Sequence, residues 1–344
     1  MADSMTSLER LLATVTHQVP DHPPVMPVML MQGAQELGLS LEEYFSKGEH
    51  YANGQLRLLD KFGHDCVIGV PHVVEDTVAF GATLMYFRNG PPSLGKMVIR
   101  EFNDIKKMRA ADPGSVPALQ ETLKAMEILA KQVKGKVPII GAAVAPFSLP
   151  SLLMGAEKWV DMLFSEPAVR DPLLAQALAV TRDFCIAWSN AQLQAGADVI
   201  VLADGMASAT MITRDEFKQF ALPVIRETIP QIKGPVVWEG VGSALSLIDL
   251  IADAGAVAIV LDCHDDLAQA RPFAAGKITL MGNLNNIAMR HWSPEKMREQ
   301  VQAALDATGG TDYIVGAQGP EIPLGVSDDA IRAMIETVRE WKKK

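Results

Sequence analysis

Short apolar runs alternate with longer amphipathic stretches along nearly the whole chain, and this alternation limits the fold more than any other feature. The runs are Val25–Leu30, Cys66–Val70, Val137–Val144, Val199–Ala203, Val236–Glu239, Ala258–Asp262, Ile278–Met281 and Tyr313–Gly316. Each is rich in Val, Ile, Leu or Met, and most are followed by Gly, Asn, Asp or Pro, the pattern of strands buried on both faces. The stretches between the later runs read as helices. Residues 215–231 bring Phe217, Phe220, Val224 and Ile225 near one face, and residues 243–254 do the same with Leu245, Leu247, Ile248 and Ile251. In "AGADVI" (195–200) and "AGAVAIV" (254–260) a helix ends at a glycine and a buried strand begins. Eight strands with helical crossovers fit an α/β chain closed as a (β/α)8 TIM barrel, a single domain over residues 1–344; a doubly wound open sheet is the competitor. Residues 1–20 are expected to form a leading helix across the barrel bottom. Val73–Phe87 reads as extended and alternating with Gly81 in its middle, a hairpin inserted near residues 73–90.

Composition narrows the function classes. A net charge of -10 leaves no basic stripe for nucleic acid and no basic patch for anionic lipid. No apolar run reaches the roughly 20 residues that span a bilayer, and residues 1–20 lack the basic head and apolar core of a secretion signal, so a cytoplasmic location is expected. The 3 cysteines, Cys66, Cys185 and Cys263, are too few and too odd in number for a disulfide framework and fit a reducing compartment.

In a barrel of this kind, functional side chains stand just past the C-terminal ends of the strands. That geometric filter selects Gln32, then His72 and Glu75, then Pro146, Phe147 and Ser148, then Asp204 with Met206 in "ADGMAS". It goes on to Glu239, to Asp262, Cys263 and His264, to Asn283, Asn285 and Asn286, and to Gln318 and Glu321. Glu239 stands out because it follows Val236, Val237 and Trp238 in a strand expected to be buried. A carboxylate there costs free energy unless it is hydrogen-bonded, paired or given a task. Asp262-Cys263-His264 is the densest cluster of metal-ligand types, but neighbouring strand residues point to opposite faces. Either Cys263 or the Asp262/His264 pair faces the barrel mouth. Asp204 is open to two roles, holding substrate or ordering a loop.

Together "VPIIGAAVAPFSLPSLLMG" (137–155), "AGADVIVLADGMAS" (195–208), "TRDEFKQFALPVIRETI" (213–229), "VVWEGVGSALSLIDLIADAGAVAIVLD" (236–262), "ITLMGNLNN" (278–286) and "SDDAIRAMIETVREW" (327–341) resemble the uroporphyrinogen decarboxylase superfamily over nearly the whole chain. The decarboxylases of that superfamily hold porphyrinogen carboxylates with arginines just after the first strand. Here that stretch is "MLMQGAQELG" (29–38), which has none. The chain is therefore more similar to the corrinoid-dependent methyltransferase branch, which implies a small-molecule methyl donor and cobalamin carried on a separate corrinoid protein.

The coenzyme M enzymes of that branch bind zinc with a His-x-Cys pair on the fifth strand, a Glu near the end of the sixth and a Cys after the eighth. At those positions this chain has Glu239 and Val241, then Cys263 or Asp262, then Pro320 beside Glu321. The resemblance thus implies a harder zinc set of Glu239, Cys263 and Glu321, with Asp262 or His264 as alternates. Such a set suits polarising an ether oxygen better than activating a thiol. The expected activity is that of a first methyltransferase of O-demethylation, moving methyl from a methoxylated aromatic to the corrinoid cobalt. Glu239 and Asp204 are the expected catalytic residues, and Gln32, His72, Phe147, Met206, Asn283 and Asn285 the expected substrate contacts. The alternatives are methyl transfer from a methylcorrinoid to a thiol such as coenzyme M, a decarboxylase of another acid, or a non-catalytic ligand-binding barrel.

Overall fold

The computed structural model describes residues 4–319 and 321–342. Its main sheet has 7 strands, all parallel to their neighbours: β1 (Val67–Ile68), β4 (Ile139–Val144), β5 (Val199–Ala203), β6 (Val236–Glu239), β7 (Ala258–Val260), β8 (Thr279–Leu284) and β9 (Tyr313–Ala317), in that spatial order. An antiparallel hairpin, β2 (Leu84–Phe87) and β3 (Gly90–Leu94), stands apart from it. The architecture is a (β/α)8 TIM barrel of the expected kind.

The first expected strand, Val25–Leu30, is the exception. Only Val25 forms a bridge, to Val315. The segment still fills the gap between the outer strands. The Met26 amide donates to the Val315 carbonyl and the Val315 amide to the Pro24 carbonyl, each at 2.8 Å, and on the other side the Asp65 amide donates to the Val25 carbonyl at 2.9 Å. Pro23, Pro24 and Pro27 have no N–H to give a ladder, so this stretch closes the ring without becoming a regular strand.

Burial follows a period of two along the strands. Ile68, Ile140, Val199, Val237, Val260, Met281 and Ile314 form the barrel interior, while Ile200, Leu202, Trp238, Ile259, Leu280 and Val315 pack outward into the helical layer. The inward positions are less tightly covered. Val201 and Ala203 on β5 are part-exposed between fully covered Ile200 and Leu202, and Ala142 on β4 is part-exposed beside buried Ala143. Ala142 and Ala203, the inward side chains nearest the mouth, are small, so the lumen carries less bulk there than in barrels filled by large layers.

Helix α1 (Ser7–Val15) closes the opposite end, with Leu11 in the same interior cluster. Buried Arg10 fixes it by charge-assisted bonds to Asp21 at 2.7 Å and Asp65 at 2.5 Å. Residues 1–3 of the expected leading helix lie outside the described residues.

The expectation for residues 73–90 needs correction. Residues Val73–Phe80 form a 3-10 helix ended by Gly81 at φ 89°, and the hairpin follows it with its turn at Arg88 and Asn89. The apolar alternation that suggested a strand instead buries Glu75, Asp76, Thr77, Ala79 and Phe80 against the barrel wall. Among the described residues, no helix is long and apolar enough to cross a membrane.

Candidate active site

Glu239 is the last residue of β6. It shares the inward face with Val237, and its register partners are Ala203 on β5 and Val260 on β7. A methyl and an isopropyl group thus flank the carboxyl, with no counter-charge beside it in the register. The side chain is buried and its Oε1 has no hydrogen-bond partner among the described residues. Burial alone pushes its pKa up to about 7.

Three further polar atoms at this end of the barrel are buried without a partner among the described residues: Gln32 Oε1, His72 Nδ1 and Glu321 Oε2. Buried polar atoms in native folds are nearly always satisfied, so four orphans among residues that follow different strand ends mark a place built to receive polar groups. Gln32 begins α2 (Gln32–Leu37), and its amide nitrogen donates to the Ile322 carbonyl at 2.8 Å, so its oxygen is left for other partners. His72 follows β1 with its ring edge-on to Phe45, 5.2 Å between centroids. Burial lowers its pKa to about 3, so the imidazole is neutral at physiological pH. Glu321 follows β9 and is pushed up to about 7 by burial. The Tyr51 hydroxyl donates to the Val70 carbonyl at 2.9 Å, whereas Glu75 turns outward and accepts from the Thr122 hydroxyl at 2.5 Å.

Asp204 is not part of this group. It is the residue after β5, and its side chain lies between the sheet and the helices. The Ser148 hydroxyl donates to Oδ1 at 2.6 Å and the Trp238 indole N–H donates to Oδ2 at 3.4 Å. The Met206 amide donates to the Ser148 hydroxyl oxygen at 2.9 Å. Of its two expected roles, Asp204 takes the second: it ties the loops after β4 and β5 together. Its pKa rises to about 6, with burial outweighing these donors.

Several expected substrate contacts are structural. Phe147 is fully buried and packs edge-on against Trp159 at 5.5 Å, and Met206 is buried in the core outside the barrel. Asn283 donates to the carbonyls of Asp262 and Asp265, both at 2.8 Å, which fixes the loop after β7. Asn285 caps the short helix Asn286–Met289 by accepting from the Ala288 amide at 2.9 Å. These polar side chains stand at strand ends as expected, but local backbone donors and acceptors consume them.

The residues after β7 do not divide between two faces as expected: they lie in a turn, and the ligand atoms of Asp262, Cys263 and His264 come within 4.8 Å of one another. Cys263 and His264 line a groove of about 510 Å³ whose far wall is the helix Pro294–Thr308, outside the barrel. The Asp262 carboxylate is hydrogen-bonded to the His264 backbone amide at 2.9 Å and to its Nδ1 at 2.6 Å. Asp265 accepts from the Ser243 hydroxyl at 2.6 Å and the Ala244 amide at 2.8 Å, joining the loops after β6 and β7.

The sequence family described as Uroporphyrinogen decarboxylase (URO-D) matches residues 6–341. The chain belongs to that family. Curated relatives include the uroporphyrinogen decarboxylase of Saccharophagus degradans, 27% identical over 83% of this chain and 81% of its own, and that of Aromatoleum aromaticum, 26% identical over 79% and 76%. Among solved structures, a methyltransferase from Methanosarcina mazei superposes with a TM-score of 0.87 at 21% identity, over 98% of this chain and 99% of its own. A B12-independent methionine synthase from Shewanella superposes at 0.51 with 14% identity, over 93% and 97%. At these identities the structural likenesses establish the fold.

For a member of this family, the expected zinc set of Glu239, Cys263 and Glu321 does not fit. Among the described residues, the one group of three whose ligand atoms lie within 4.8 Å of one another is Asp262, Cys263 and His264. Glu239 ends β6 on the inward face, whereas Cys263 lies in the turn after β7 and lines the outer groove. Pro320, in the position of the last expected ligand, lies outside the described residues. Sequence reasoning also missed Asp76, a buried carboxyl that accepts from the Val144 amide at 2.7 Å, is favoured by the Trp188 indole, and is nonetheless pushed up to about 8 by burial. The signal was present as two adjacent acids in an otherwise apolar run.

Proposed function

We propose that this protein removes the methyl group of a methoxylated aromatic, or a similar small methyl ether, and passes it to the cobalt of a separate corrinoid protein. The carrying observation is Glu239, a buried carboxyl at the inward end of β6 with no partner on Oε1 among the described residues, whose pKa of about 7 makes it a proton donor at neutral pH. The same fold carries a methyltransferase in Methanosarcina mazei, which supports the reading.

The ether docks with its ring against the small inward side chains Ala142 and Ala203 and its oxygen toward Glu239. Gln32 Oε1 and neutral His72 Nδ1 offer hydrogen-bond positions to ring substituents. The methyl carbon faces the mouth, where reduced corrinoid supplies the two electrons of the new carbon–cobalt bond. The ether C–O bond breaks and its electron pair stays on oxygen. Glu239 delivers its proton to that oxygen, so a neutral phenol departs, and water then reprotonates the glutamate. An alkoxide or phenolate released into an apolar lumen is costly, and the neutral acid removes that cost in the transition state.

Activation of a thiol acceptor is disfavoured because Val241 stands where the related enzymes place a zinc thiolate. Decarboxylation is the second reading, favoured by the names of the curated relatives. Against it, residues 29–38 carry no arginine and the lumen acid Glu239 has no cation beside it in the register. The test is to mix the protein with methoxylated phenols and a reduced corrinoid protein and to follow methylcobalt absorbance and phenol release. Methyl transfer lost in Glu239→Gln supports the reading. No transfer from any methyl ether, or carbon dioxide release from an acid instead, overturns it.

A further inference from the structure

The end of the barrel opposite Glu239 holds a second cavity, of about 290 Å³. Its walls are Leu11 of α1 with Met26, Ile68, Val201, Val237 and Met281 of the barrel interior. Nearly all its lining is hydrocarbon. The one carboxylate, Asp198, is already occupied by Lys134 at 2.6 Å and by the Ile139 amide at 2.9 Å. The one thiol, Cys66, is pushed far above its ordinary range by burial and is inert. Barrels of this type are usually filled here by bulky side chains. In this one, α1 lies across the opening as a plug, pinned at one end by Arg10 and with Leu12 about half exposed.

We propose that this chamber is a binding site for a small, uncharged apolar molecule of the arene or short-alkyl class. A dry cavity of about 150 Å³ accepts benzene, so twice that volume takes a substituted or two-ring hydrocarbon. Asp198 and Cys66 apart, no lining side chain carries a donor or acceptor, so a hydroxyl or a charge entering the chamber is poorly paired and disfavoured. The site is independent of the methyl-transfer reading and stands or falls by itself.

The test is thermal unfolding of the full chain with toluene and with phenol. Toluene at ten times its Kd is expected to raise Tm by about 2 °C, and phenol to bind at least about tenfold more weakly. Val201→Leu, a modest filling of the chamber that the fold should tolerate, is expected to weaken toluene at least about fivefold, and Val201→Phe to abolish it. Glu239→Gln is expected to leave toluene binding unchanged. Equal binding of toluene and phenol, no effect of either Val201 variant, or loss of toluene binding in Glu239→Gln would each overturn the assignment, the last by placing the ligand at the mouth.

Discussion

Asp204 holds Glu239 through the backbone: its amide donates to the Glu239 carbonyl at 2.7 Å, while its carboxylate accepts from the indole of Trp238, the residue before Glu239. Two contacts from one residue thus fix the end of β6, with Ser148 bracing Asp204 from the loop after β4. The expected outcome for Asp204→Ala is a folded protein whose methyl transfer falls about 10- to 100-fold, with the main loss in kcat. Asp204→Asn keeps the acceptor toward Ser148 and should recover part of the rate. A matching loss in both variants with an unchanged pH profile would assign Asp204 to fold maintenance alone.

The buried carboxyl of Glu239 makes stability fall as pH rises. Its folded pKa of about 7 lies above the ordinary value of 4.5, so the folded state binds the proton more tightly than the unfolded chain. The contribution is fully present below about pH 4.5 and is lost as pH climbs through 7. Glu239→Gln removes the titration, and the variant is expected to melt higher than wild type at pH 8, by a free energy on the order of 3 kcal/mol or less. The two should converge toward pH 5. Melting curves at both pH values check this, and equal differences at both would show that Glu239 does not titrate near neutrality.

Any zinc the protein retains should follow the rim and leave the lumen acids unaffected. Asp262, Cys263 and His264 have ligand atoms within 4.8 Å of one another, and among the described residues neither Glu239 nor Glu321 belongs to such a group. Metal analysis of purified protein is expected to show zinc lowered by Cys263→Ala and untouched by Glu239→Gln. Zinc lost on changing Glu239 would restore the lumen set that the sequence suggested.

Val241 carries backbone strain next to the site. Its φ is +42°, a left-handed conformation that a β-branched side chain resists, and the side chain is about half exposed, so little packing compensates. Val241→Gly is expected to gain about 1 kcal/mol of stability, read as a higher denaturation midpoint. By contrast, Gly240→Ala would set a Cβ 2.6 Å from the Trp238 ring, displace the indole that Asp204 holds, and destabilise the protein.

The sequence by itself determined the barrel and the importance of Glu239. Parallel strands covered on both faces leave continuous apolar runs, and seven such runs became strands close to where the sequence put them. A carboxylate closing one of them, after Val236, Val237 and Trp238, marks itself by its cost. Tertiary structure alone decided which strand-end residues share a site. Asn283, Asn285 and Asp204 look available in sequence, yet partners such as Asp265 and Ser148, brought up from other loops or from the next turn of backbone, use up their hydrogen-bonding capacity. Glu239 ends β6 and keeps the inward phase of its strand, whereas Cys263 lies in the turn after β7, which carries it to the outer groove. Side-chain direction in a strand reverses at every residue, and the phase at a strand's end is set by where the ladder stops, which is a property of the neighbouring strands.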